Sequence, residues 1–190
     1  MSYIQIAGYQ ITVIRSKRKT ASLQILPSGE LVLRVPLYAK LSQIRPMLEQ
    51  RISWIEKHAE PLRKAQEQPY YTEAELQELT KQAKTVISER VAFYAEIIGV
   101  TYGRITIRHQ RTRWGSCSAN GNLSFNCLLA DMPSEVLDSV VVHELCHRKG
   151  MNHSKSFYAE VLRVFSDYHK WNEWLKSNGA AYLCRIPSKE

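Results

Sequence analysis

A chain of 190 residues, 44% hydrophobic and 23% charged, is long enough to bury a core without staples and has ordinary globular composition. Its formal charge of +8 favours acidic partners such as nucleic acid or nucleotides without requiring them. No segment approaches the roughly 20 apolar residues that span a bilayer, which excludes a membrane-spanning helix.

The N-terminus lacks a basic region ahead of a long apolar run. The four cysteines, Cys117, Cys127, Cys146 and Cys184, form no CxxC pair. Together these features predict a cytoplasmic protein with reduced thiols and no membrane partner.

In chain order, the first third reads as β-rich. "IQIAGYQITVIR" (4–15) and "ASLQILPSGELVLRVP" (21–36) alternate apolar and polar residues, with turns at Gly8 and at Pro27-Ser28-Gly29. The densest cationic run, "RSKRK" at 15–19, reads as a solvated hairpin tip. From Leu41 to Gln66 the stripe Ile44, Leu48, Ile52, Ile55 and Leu62 has helical spacing, with Trp54 beside it. Pro69 breaks the chain. Thr72 and Glu75 are then spaced as a capping box for a long helix that runs to Ile98 and stops at Gly99.

Strands return with "RITIRHQ" (104–110) and "TRWGSCSANGNLSFNCLLA" (112–130). Asn120-Gly121 between alternating flanks predicts a hairpin with a type I′ turn, both central residues having positive φ. Pro133 opens a helix whose residues 134–149 are apolar almost all round, as in a buried helix, and Gly150 ends it. Ser154 or Asn152 caps the next helix, with the stripe Phe157, Val161 and Phe165. "DYHKWNEWLKSNGAAYL" (167–183) packs as a last helix. The expected organisation is a single α+β domain over 1–190, made of a β-rich part plus helix (1–68) and a catalytic part (70–190).

The chemistry concentrates in "VVHELCHRKGMNHSKSF" at 141–157. On an α-helix, residues four apart share a face, so His143 and His147 can grip one metal ion. Glu144 lies about 100° round the helix, beside such an ion rather than on it, where a carboxylate serves as general base. A catalytic zinc usually takes three protein ligands. His153 follows His147 by six residues with Gly150 between, and a left-handed glycine there would fold the chain back to the metal. Glu160 and Glu173 are the rival third ligands. Two histidines and a glutamate on a buried helix are costly unless something satisfies them, which favours a metal site over packing.

"RWGSCSANGNLSFN" followed by "VVVHELCHRKGMNHSKSF" resembles the YgjP-like metal-dependent hydrolases, relatives of the SprT-like and WLM zinc metallopeptidases. The likeness covers most of the chain. It implies a zincin-like α+β core in which the HExxH helix lies beside a small antiparallel sheet. It also implies Zn²⁺ held by His143, His147 and His153, Glu144 as catalytic base, and the Arg113–Cys117 strand running beside the active site. The H-x-x-G-x-x-H spacing also fits the metzincins, but no methionine follows Met151, so their downstream Met-turn is ruled out.

The resulting reading is a zinc-dependent hydrolase acting on a peptide or protein substrate. Arg113, Trp114, Gly115 and Ser116 are the candidate substrate-binding residues. For Trp114-Gly115-Ser116 the choice lies between an edge strand that pairs an extended substrate and a packed tryptophan beside a β-bulge. Tyr158, His169 and Arg113 are candidates for a second electrophile. Cys146 reads as a core thiol, Cys117 has no visible activating partner, and His58 and His109 read as surface or packing residues. Two rival functions use the same site: hydrolysis of a nucleotide phosphoanhydride, which the charge of +8 would suit, and a peptidase acting on DNA-associated protein. Three imidazoles also accept metals other than zinc.

Overall fold

Alternation at the N-terminus gives strands and 3.6-residue spacing beyond it gives helices. In the computed structural model, which describes residues 2–26 and 29–187, these elements form two compact units, Met1–Gln68 and Pro69–Glu190.

The first unit holds β1 (Ser2–Ile6), β2 (Tyr9–Ser16), β3 (Ser22–Ile25) and β4 (Leu31–Pro36), in the sheet order β1-β2-β4-β3. β2 and β4 are parallel, and the other two pairings are antiparallel. The expected turn at Gly8 is a two-residue loop in which Ala7 (φ 47) and Gly8 (φ 81) both have positive φ, as a type I′ hairpin demands. Pro27 and Ser28 of the second expected turn lie outside the described residues; Gly29 has φ 80. The expected helix over Leu41–Gln66 is two helices, α1 (Leu41–Glu49) and α2 (Ile52–Gln66). They divide at Gln50–Arg51, where neither glycine nor proline marks the break. Ile11, Val13, Leu31, Leu33 and Val35 on one sheet face pack with Ile44, Leu48 and Ile55 of these helices.

The second unit opens with α3 (Glu73–Ile98). The Thr72 hydroxyl accepts the Glu75 N–H, the Glu75 carboxylate accepts the Thr72 N–H, and Gly99 closes the helix with left-handed φ 75, ψ 46. β5 (Ile105–Arg108), β6 (Gly115–Cys117) and β7 (Leu123–Asn126) form a small mixed sheet in the order β5-β7-β6, with β6 at its edge. β6 pairs antiparallel with β7, while β5 runs parallel to β7. The β6–β7 turn differs from the type I′ expectation because only Gly121 (φ 78) has positive φ. The Gly121 N–H bonds the Ser118 carbonyl and the Ser118 N–H bonds that of Asn122, enclosing a three-residue loop with a left-handed glycine last.

A 3-10 helix (Cys127–Asp131) leads to α4 (Ser134–Cys146). Ten of the thirteen α4 residues are buried, so this helix is the centre of the second core and packs on α3, β6, α5 (Lys155–Val164) and α6 (Tyr168–Leu183). Asp138 on α4 accepts two 2.6 Å bonds from the Arg90 guanidinium of α3 and one of 3.1 Å from the Tyr94 hydroxyl. That paired charge fixes α4 against α3 at the level just below the histidines. Among the described residues, no helix is long and apolar enough to cross a membrane.

Candidate metal centre

His143 lies in the last turn of α4, and His147 caps it. Past Cys146 the chain keeps coiling: the N–H groups of Arg148 and Lys149 bond the carbonyls of Leu145 and Cys146, and the Gly150 N–H also bonds Cys146. The segment then turns through Asn152, whose side-chain oxygen accepts the Ser154 N–H, and Ser154 caps α5 by accepting the Phe157 N–H. This path carries His153 back over the end of α4. The ring centroids of His143, His147 and His153 lie 4.8 to 5.0 Å apart, and their potential ligand nitrogens all lie within 4.8 Å of one another. The buried ring of Phe157 sits 4.7 to 5.1 Å from all three and floors the cluster.

The expectation for Gly150 is overturned. It is absent from the positive-φ glycines, and a Cβ built on it meets nothing within 4 Å. The reversal comes from the coiled 147–150 segment and the Asn152–Ser154 turn instead. What Gly150 contributes is its carbonyl, 3.2 Å from His147 Nδ1. A carbonyl only accepts, so Nδ1 carries the ring proton and the Nε2 lone pair is left open. His143 Nδ1 is fixed by the Tyr168 hydroxyl at 2.9 Å, and its Nε2 lies 3.1 Å from His153 Nε2. Two nitrogens bound to one tetrahedral ion at zinc–imidazole distances are about 3.4 Å apart. The donor set therefore fits a cation. Burial, then the two neighbouring imidazoles, push the His143 pKa down to about 4, and burial lowers that of His147, so both rings are neutral near pH 7.

Glu144, 7% exposed, turns from α4 toward β6. The Trp114 carbonyl accepts the Asn126 N–H at 2.9 Å and Ser118 pairs with Asn122, so the alternate residues Gly115 and Cys117 aim their backbone groups at the open edge. The Cys117 N–H donates to the Glu144 carboxylate. A Cβ on Gly115 would lie 2.7 Å from both Cγ and Oε1 of Glu144, so this close approach requires glycine. Burial pushes the Glu144 carboxyl up to about 7, against the pull of that N–H. A cleft of about 290 Å³ runs from Glu144 and His143 between residues 112–115 and α6, where Tyr168, Asn172 and Leu175 line it.

A family profile described as "YgjP-like, metallopeptidase domain" matches residues 62–178, more than half of the chain. The chain belongs to this family. It is thus a metal-dependent hydrolase of the metallopeptidase type. No curated protein matches it. Similar solved structures include the metallopeptidase zymogen abylysin of Pyrococcus abyssi, 21% identical with a TM-score of 0.44 over 47% of this chain and 90% of that one. The metallopeptidase zymogen jannalysin of Methanocaldococcus jannaschii is also 21% identical, with a TM-score of 0.43 over 47% of this chain and 92% of that one.

Other residues singled out in this YgjP-like sequence fall into place around the cluster. Glu160, a rival third ligand, is taken by Lys149 at 2.6 Å and Arg163 at 2.8 Å, and Glu173 is not part of the imidazole group. Cys146 is a buried core thiol. Burial and then Glu144 raise the Cys117 pKa, which keeps it a thiol. His109 bonds the Thr80 hydroxyl and is not part of the imidazole group, and His58 stacks on Trp54 within the first unit. Trp114 packs on α6, where a Cβ on Gly179 would come within 2.8 Å of its ring, so it is a packed tryptophan next to an edge strand. Tyr158 lies 6.1 Å from His153 between ring centroids, and His169 is exposed. Tyr168 had no marker in the sequence; its place depends on α6 crossing α4, a contact between distant segments.

Proposed function

We propose that this chain is a zinc-dependent peptidase in which His143, His147 and His153 hold the metal and Glu144 is the general base. The observation that carries the reading is the convergence of three imidazoles, with their nitrogens within 4.8 Å of one another, beside a buried carboxylate that belongs to no ion pair among the described residues. Bound zinc would supply Lewis-acid polarisation of a water and of the scissile carbonyl. Glu144 takes the proton of the attacking water and hands it to the departing amine, a transfer that needs a carboxylate beside the metal and off it. The Cys117 N–H and the missing side chain at Gly115 hold that carboxylate in place. An extended substrate adds to the β6 edge through the outward backbone groups of Gly115, the Cys117 N–H being taken by Glu144. Tyr158, with its ring 6.1 Å from that of His153, is the candidate donor to the oxyanion.

The test is a parallel assay of zinc-loaded wild type and Glu144→Gln on peptides and on nucleoside triphosphates. Wild type is expected to cleave peptides, and Glu144→Gln to keep its metal while turnover falls about 10²- to 10⁴-fold. Triphosphate hydrolysis with every peptide left intact would replace this reading with the phosphoanhydride one.

A further inference from the structure

We infer that Arg113 is a specificity residue that selects peptides carrying a carboxylate next to the scissile bond. The inference rests on the peptidase reading for its substrate class and on the structure for the charge.

The loop that carries Arg113 is anchored from inside. Asn126, 1% exposed, donates its side-chain amide to the carbonyls of Gln110 at 2.6 Å and Arg113 at 3.0 Å, and its side-chain oxygen accepts the Leu128 N–H at 3.1 Å. One residue on, Trp114 is seated against Gly179. The backbone of Arg113 is therefore clamped between two buried contacts, while its side chain is exposed at the cleft that also holds Glu144 and His143.

Several other cations of this unit are spent on the fold. Arg90 pairs with Asp138, Arg163 and Lys149 with Glu160, and Arg148 with the carbonyls of Thr101 and Ala119. Arg113 forms no ion pair or side-chain hydrogen bond among the described residues. An exposed guanidinium on an anchored loop at a substrate cleft, with no internal acid, has its planar fork free for a carboxylate. Such pre-organisation lowers the cost of recognition, because the loop is ordered before the substrate arrives. A lysine or arginine at the same place in a substrate meets repulsion instead.

The carboxylate has two sources in a peptide: an Asp or Glu side chain, or the free C-terminus. Zinc-loaded wild type, Arg113→Gln and Arg113→Lys are compared on one neutral core peptide made with Glu, Gln or Lys beside the cleaved bond. Each is made as free acid and as C-terminal amide. Wild type is expected to favour the carboxylate form by roughly tenfold in kcat/KM, mostly through KM. Arg113→Gln should cut that ratio to about twofold or less, and Arg113→Lys should restore part of it. A Glu-over-Gln preference assigns the side chain as the source, and an acid-over-amide preference assigns the terminus.

Binding of the same peptides to zinc-loaded Glu144→Gln, with and without Arg113→Gln, reads the preference without turnover. If it persists there while wild type cleaves nothing, the peptidase reading falls and charge recognition stands. Equal kcat/KM in wild type both for Glu against Gln and for acid against amide forms overturns the inference. So does an Arg113→Gln variant that loses kcat on every peptide alike with the ratio unchanged, since that assigns Arg113 to the oxyanion.

Discussion

Two glycines flank the proposed centre, and the structure gives them opposite roles. Gly115 leaves the space that Glu144 occupies, whereas Gly150 faces open space with an ordinary φ and offers only its carbonyl. Gly115→Ala should therefore displace the general base. Peptide turnover is expected to drop about 10²-fold with zinc content unchanged, as a misplacement on the order of 1 Å produces. Gly150→Ala should keep its activity and shift unfolding free energy by less than about 0.5 kcal/mol, as read by urea denaturation. The reverse ranking would mean that the metal-side reversal, and not the β6 contact, limits the site. The HExxH pair and His153 were legible in the sequence because helical spacing and a short loop decide them locally. The ring partners were not: His147 Nδ1 meets a backbone oxygen that sets its tautomer, and His143 Nδ1 meets the Tyr168 hydroxyl, twenty-five residues away.

At the scale of elements, α5 is joined to the turn after α4 through Glu160, which bonds Lys149 of that turn and Arg163 of its own helix. The Arg163 bond, then Lys149, holds the Glu160 pKa down to about 2, while its partial burial works the other way. The folded pKa thus lies below the unfolded value of about 4.3, so its stabilisation is complete above that pH and is lost as pH falls toward about 2. Wild type should resist urea better than Glu160→Gln at pH 7, with the gap closing between about pH 4.3 and 2. A gap that stays constant across that range would show that the carboxylate charge is not what ties α5 to the turn.

Elements with local start and stop signals were legible at this scale. α3 runs between its capping box and Gly99 as the sequence indicates, because both ends are set by residues within one turn. The break between α1 and α2 carries no such signal. The parallel pairing of β5 with β7 is a long-range choice that period-two patterning leaves open.

At the scale of the whole molecule, charge and chemistry are separated along the chain. Residues 1–68 hold 11 Lys and Arg against 5 Asp and Glu, while residues 69–190 hold 15 against 13. Most of the net charge of +8 thus belongs to the first unit, and every residue of the proposed centre lies in the second. The overall charge is therefore a weak guide to what the cleft binds, and a single exposed arginine near Glu144 counts for more.

The second unit buries α4 on nearly all sides, at about 1.5 to 3 kcal/mol for each fully buried aliphatic side chain. The imidazoles at the end of that helix are thereby held on a rigid base. The central claim is that they share one ion, and X-ray absorption at the zinc edge tests it most directly. Zinc-loaded protein should show three imidazole nitrogens at about 2.0–2.1 Å and no sulfur, falling to two imidazoles in His153→Ala. An unchanged imidazole count in His153→Ala, or a sulfur ligand at about 2.3 Å, would contradict it.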